Sequence, residues 1–167
     1  MSYKKIYKKE ILANTLKAKQ KRQYAAYLFA RLIAEGKQVI NIDESTLDQT
    51  YYIRKGWGVK GQKLFTVKGT RLNKFNIIAA ASNHGAVWFQ TNNGKNNSIT
   101  FWNFILNLIL NLQEENPLWR RHTVFLLDNA QFHKSDWIID KFVEFQIPVL
   151  FSGPYSYDAS PIEKIFA

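Results

Sequence analysis

The chain has 167 residues, 46% of them hydrophobic and 15% aromatic, and a net charge of +10. That length suits one domain with a sizeable core better than two, and that much apolar surface excludes disorder for most of it. Cysteine is absent, which excludes disulfides and thiolate metal sites, so any ion would be held by oxygen or imidazole.

No apolar run of 18 residues exists to span a bilayer. The opening stretch, MSYKKIYKKEIL, lacks the apolar segment and cleavage site of a secretory signal. An intracellular protein with no membrane partner is expected. Charge is unevenly spread: residues 1–38 carry ten Lys/Arg against two acids, and residues 39–167 carry thirteen against eleven. A basic helical arm ahead of a nearly neutral globule points to an anionic partner, nucleic acid first, with a solvated basic helix as the plain alternative.

Residues 4–35 read as helix, with Leu12, Leu16, Tyr24, Tyr27, Leu28 and Leu32 near 3.6-residue spacing and Gly36 as the stop. At Val39 the period changes: VINID is a short buried strand that ends in Asp43. In the following stretch Gly56, Gly58, Gly61 and Gly69 punctuate YYIR and KLFTV, an irregular hairpin. FNIIAAA and AVWFQT flank Ser-Asn-His-Gly and form a second hairpin, with His84 in its turn given no role.

Residues 98–115 read as a helix capped by Ser98 and apolar on most faces, as expected against a sheet. HTVFLLDNA is another buried strand, ending in Asp128. Residues 135–145 read as a helix capped by Ser135, IPVLF as a strand, and SPIEKIFA as a helix start. The order predicts an α/β fold, a mixed sheet with at least one parallel crossover.

Open α/β sheets bind ligands beyond the carboxyl ends of their strands. Asp43 and Asp128 would each close an apolar strand; on parallel neighbours their side chains would emerge about 5 Å apart. Two carboxylates that close stay ionised only with a cation between them, and oxygen donors favour Mg²⁺ or Mn²⁺. The competing reading, that each Asp merely caps its turn, has equal standing for the pair. Glu163 follows Ser160-Pro161-Ile162, a capping box that gives it a structural task worth roughly 1 kcal/mol. Glu44, beside Asp43, is expected to point away from it into solvent.

Three runs carry a resemblance: INIDES ending at Ser45, LLDNAQFH at 126–133 and PYSYDASPIEKIF at 154–166. Together they resemble the mariner superfamily of transposases and related bacterial insertion-sequence enzymes. Those enzymes carry Asp-Glu-Ser after the first strand, Asp-Asn-x-x-x-His after the fourth, and Pro-Tyr-Ser-x-x-x-x-Pro-x-Glu at the last helix. The 34 residues between Asp128 and Glu163 match that superfamily's spacing, and RKGWGVKGQ at 54–62 is similar to its hairpin segment. Ala159-Ser160 departs from the Leu-Asn common there.

The resemblance implies a ribonuclease H-like domain over 39–167, after a basic helical arm or linker over 1–38. It implies Asp43, Asp128 and Glu163 as catalytic residues and ligands of two Mg²⁺ or Mn²⁺ ions per active site, with cleavage at transposon ends and strand transfer into target DNA. Asn129 and His133 become candidates to orient the acids or meet a phosphate, each with a structural turn contact as its alternative. Arg54, Lys55, Lys60 and Lys63, around Trp57, become candidates for tracking a DNA backbone, a solvated hairpin being the equal alternative. The partner would be DNA, the active complex a homodimer, and the location the nucleus in a eukaryote or the cytoplasm in a bacterium. The family's last helix normally runs on beyond a point equivalent to Ala167, and a helix-turn-helix region normally precedes the domain, so a fragment or a split or decayed gene product is expected. Two other functions stay open: a non-catalytic or domesticated DNA-binding remnant, and a nuclease or resolvase of the same fold.

Overall fold

Thr15 opens the first long helix: its hydroxyl accepts from the amide of Ala18 at 3.3 Å, and α1 runs from Leu16 to Ala34. It ends at Gly36, whose φ of +70° lets Gly36 and Lys37 return their amides to the carbonyls of Ile33 and Leu32. The computed structural model describes residues 11–48, 63, 74–156 and 162. Among these, a single 3-10 turn at Ile11–Asn14 precedes α1, so the expected helix over 4–35 begins its regular part at Leu16. Its apolar stripe is packed only in part, Leu28 and Leu32 being half-buried. Leu16, Tyr24 and Tyr27 are exposed, and Ala18 is buried, because small side chains let the helix backbone approach the sheet.

Among the described residues five strands follow: β1 (Gln38–Asp48), β2 (Lys74–Ser82), β3 (Val87–Asn92), β4 (Thr123–Leu127) and β5 (Val149–Phe151). They form one sheet in the order β3-β2-β1-β4-β5. The β2–β3 and β1–β2 pairs are antiparallel, whereas β1–β4 and β4–β5 are parallel. The expected second hairpin is β2–β3, turning through Asn83 and His84 with Gly85 at φ +93°. The expected first hairpin, YYIR with KLFTV, lies outside the described residues.

β1 is longer than its sequence suggests. VINID reads as a strand closing on Asp43, yet β1 continues to Asp48. The reason lies in its two different neighbours. Parallel pairing with β4 stops at Ile42–Leu127, but antiparallel pairing with β2 continues from Asp43–Ala79 to Asp48–Lys74. Asp43 therefore sits where one partner ends and the other goes on.

Residues two apart on a strand share a face. Ile40, Ile42, Ile78, Phe125 and Leu127 face α2 (Ser98–Glu115), whose Phe101, Phe104, Ile105, Leu108 and Leu112 complete the core. A one-turn helix, α3 (Trp119–His122), leads into β4, and α4 (Asp136–Glu144) adds Ile138 and Phe142 to the same layer. The cap of α2 is Asn97, one residue before the expected Ser98: its side chain accepts from the amides of Ile99 and Thr100. Ser135 does occupy the cap position of α4, but its hydroxyl donates back to the Phe132 carbonyl.

The opposite face of the sheet carries Asn41 and Asp43, and α1 packs there against β1 and β5. Gly153 makes that approach possible, since a Cβ on it would meet the Arg22 Cα at 2.5 Å. The Arg22 guanidinium donates to the Pro154 carbonyl at 3.3 Å. No helix among the described residues is long and apolar enough to cross a membrane.

Candidate active site

The parallel register sets Ile42 beside Leu127, so the next residues along the two strands are Asp43 and Asp128. Neighbouring strands lie about 4.8 Å apart, which brings the two carboxylate-bearing positions together at the carboxyl end of β4. The expected placement on neighbouring parallel strands is observed, though Asp43 lies inside its strand and not at its end.

The carboxylate of Asp128 is tied down on one oxygen. Oδ1 accepts from the Ala130 amide at 2.8 Å and lies 2.7 Å from Nδ1 of His133. No hydrogen bond among the described residues engages Oδ2, and the side chain is about half exposed (47%). Burial works against charging this carboxyl, but the His133 hydrogen bond, the Ala130 amide and the charges of His133 and Lys134 outweigh it and hold the pKa below its ordinary value. An ionised oxygen therefore faces solvent beside Asp43, whose own Oδ1 accepts from the Glu44 amide at 2.8 Å.

His133 is fully buried (0% exposed), with its ring centroid 4.3 Å from those of both Phe101 and Phe132. Its second nitrogen, Nε2, lies 2.9 Å from Oε1 of Glu44. The expectation that Glu44 is solvated fails: its side chain is only 14% exposed. Alternation explains this, because Glu44 shares its face with Ile40 and Ile42, toward α2. Burial disfavours a charged imidazole, but the hydrogen bonds to Asp128 and Glu44 and their negative charges outweigh it, pushing the His133 pKa up to about 9.

Asn129 does not reach Asp128. Its amide donates to the Ser152 carbonyl at 2.6 Å and its oxygen accepts from Lys134, bracing the end of β4 against the residue after β5. Lys63 is exposed; Arg54, Lys55, Lys60 and Glu163 lie outside the described residues. Ile162, which precedes Glu163, is fully buried, and its amide donates to Oδ1 of Asn41 at 3.0 Å. Asn41 is itself 5% exposed and donates to the Leu126 carbonyl. Sequence reasoning passed over Asn41, although a polar residue inside an apolar strand is a usable signal.

An oxygen-liganded divalent ion fits this chemistry: two neighbouring carboxylates, one held ionised with an oxygen to spare, and no sulfur. His133 has both nitrogens committed and is not a ligand. Among the described residues no third His, Asp or Glu completes the set.

The family model of the DDE superfamily endonucleases matches residues 38–167. Among solved structures, the Mos1 transposase paired-end complex with the left transposon end matches at a TM-score of 0.76 with 20% identity, over 99% of this chain and 51% of that one. The Mos1 mariner paired-end complex with Mn matches at 0.75 and 19%, over 97% and 50%. The catalytic domain of Mos1 mariner transposase matches at 0.65 and 18%, over 92% and 69%. This chain spans about half the length of the Mos1 chains in the paired-end complexes. The likeness makes the mixed five-stranded sheet a ribonuclease H-like one. A comparison with curated protein sequences finds no match.

Proposed function

The chain belongs to the DDE superfamily of endonucleases, and from that premise we propose that it is the catalytic core of a cut-and-paste DNA transposase. Asp43, Asp128 and Glu163 are its acids, and its substrates are transposon ends and target DNA. The observation that carries this reading is the buried bond from the Ile162 amide to Asn41. Asn41 lies two residues before Asp43 on the same face of β1, so Ile162, the residue before Glu163 in sequence, is anchored beside the strand that carries the first acid. The solved Mos1 complexes contain transposon-end DNA, and one contains Mn, which supports the same partners here.

Bound at the three acids, two Mg²⁺ or Mn²⁺ ions would supply Lewis acidity for the attacking and departing oxygens of a phosphodiester. The chain's own contribution is positioning and charge. Asp43 and Asp128 present carboxylate oxygens from adjacent strands, and Glu163 supplies a third from the segment anchored at Asn41. His133 holds the far oxygen of Asp128, so that carboxylate cannot swing away. The ten basic residues of 1–38, with Arg54, Lys55, Lys60 and Lys63, neutralise the DNA backbone. The basic stretch over 1–38 serves as an arm to the ribonuclease H-like domain over 39–167. The active complex is a homodimer, working where DNA is, in a nucleus or a bacterial cytoplasm.

The test is nicking of supercoiled DNA by the chain in Mn²⁺. Cleavage is expected to need the ion and to vanish in Asp128→Asn with folding intact; full cleavage by that variant would overturn the assignment.

A further inference from the structure

We propose that Glu44 is a positioning residue, acting on Asp128 through the buried imidazole of His133. The inference rests on Asp128 being a metal ligand, as proposed above. Glu44 itself lies on the wrong face of β1 to join Asp43 at the acids, since successive strand residues point to opposite sides. Its carboxylate instead meets Nε2 of His133 at 2.9 Å, while Nδ1 of the same ring meets Oδ1 of Asp128 at 2.7 Å. The three side chains form a continuous line from the α2 face of the sheet to the solvent-facing acid.

Each part of the line constrains the next. The His133 ring has no exposed surface and lies against Phe101 and Phe132, so in the intact protein its partners are these two carboxylates and not solvent. With Glu44 present, both nitrogens are satisfied in one ring orientation only. With Glu44 removed, Nε2 is left buried without a partner, and the ring gains a reason to turn over and give up Asp128. Oδ1 of Asp128 would then keep only the Ala130 amide, and the carboxylate could rotate about its last bond. Groups that orient ligands in this way typically account for 10- to 100-fold in metal affinity. Position 44 of this chain is thus a determinant of ion binding through His133, from the face of β1 opposite Asp43.

Calorimetric titration with Mn²⁺ tests the proposal, using the full chain, Glu44→Ala, Glu44→Gln and Asp128→Asn, with thermal melts as folding controls. Glu44→Ala is expected to weaken Mn²⁺ binding about 10- to 100-fold. Glu44→Gln is expected to stay within about threefold of the parent, because a carboxamide can accept from or donate to Nε2 in either protonation state. Nitrogen-15 spectra of the His133 ring supply a metal-free readout: the Nδ1 signal is expected to move in Glu44→Ala and be restored in Glu44→Gln. Should Glu44→Ala fail to fold, the glutamine variant still decides, since a loss of more than tenfold there overturns the orienting role. Parent-like Mn²⁺ affinity in Glu44→Ala overturns the role of Glu44 and leaves Asp128 as a ligand. Parent-like affinity in Asp128→Asn overturns both together.

Discussion

Replacing Asn41 by alanine tests whether the segment leading to Glu163 is held by that one amide. The buried hydrogen bonds that disappear include the 3.3 Å bond to the Leu126 carbonyl and the 3.0 Å bond from the Ile162 amide. Leaving the Ile162 N–H buried and unpaired costs about 1–3 kcal/mol, and the lost bond to Leu126 adds about 1 kcal/mol. The total, about 2–4 kcal/mol, corresponds to a fall of roughly 5–15 °C in melting midpoint for a chain of this size. Urea unfolding followed by fluorescence of the five tryptophans measures it. A stability loss below about 0.5 kcal/mol, the range of neutral surface changes, would refute the reasoning.

Two further outcomes follow from the packing and the charges. The raised pKa of His133 means that the folded protein binds a proton that the unfolded chain gives up above pH 6.5. That stability is complete below pH 6.5 and is lost as pH rises through about 9, by an amount on the order of 3 kcal/mol. The lowered pKa of Asp128 acts oppositely, with stability present above its ordinary value of 3.8 and lost as pH falls further. Urea midpoints measured in chelator are therefore expected to fall between pH 6.5 and 9.5 in the parent and to stay flatter in His133→Phe; equal slopes would contradict the buried pairing. Gly153→Ala drives a Cβ into the backbone of Arg22 and is expected to cost about 1–3 kcal/mol, read as a lower melting midpoint. An unchanged midpoint would mean that α1 does not press on the loop after β5.

Much of this arrangement was legible in the sequence because local pattern and burial agree over most of it. The all-round apolar run of α2, the FNIIAAA–AVWFQT hairpin and the buried FLL before Asp128 each specify one element on their own. What escaped depends on partners distant in sequence. VINID looks complete at Asp43, and only the pairing of Glu44 to Asp48 with β2 carries the strand onward. The same oversight misplaced Glu44, since a residue taken to lie beyond a strand has no face to occupy. The apolar stripe of α1 misled for a different reason: periodicity marks a helix, but which face packs depends on a distant loop, where Gly153 makes room for Arg22. Asp43 and Asp128 were proposed from apolar strands that read as ending on them, whereas Glu163 rested on motif and spacing.

Glu163 is accordingly where the account is tested most directly. Glutamine at that position would keep the capping box expected from the sequence with Ser160, because Gln serves there as well as Glu, but it gives up the negative charge a metal ligand needs. Mn²⁺-dependent nicking of supercoiled DNA by Glu163→Gln, measured beside its melting midpoint, separates the two roles. The account predicts cleavage reduced at least about 100-fold, the scale of one lost electrostatic contribution to a transition state, with an unchanged midpoint. Parent-like cleavage by Glu163→Gln would contradict it.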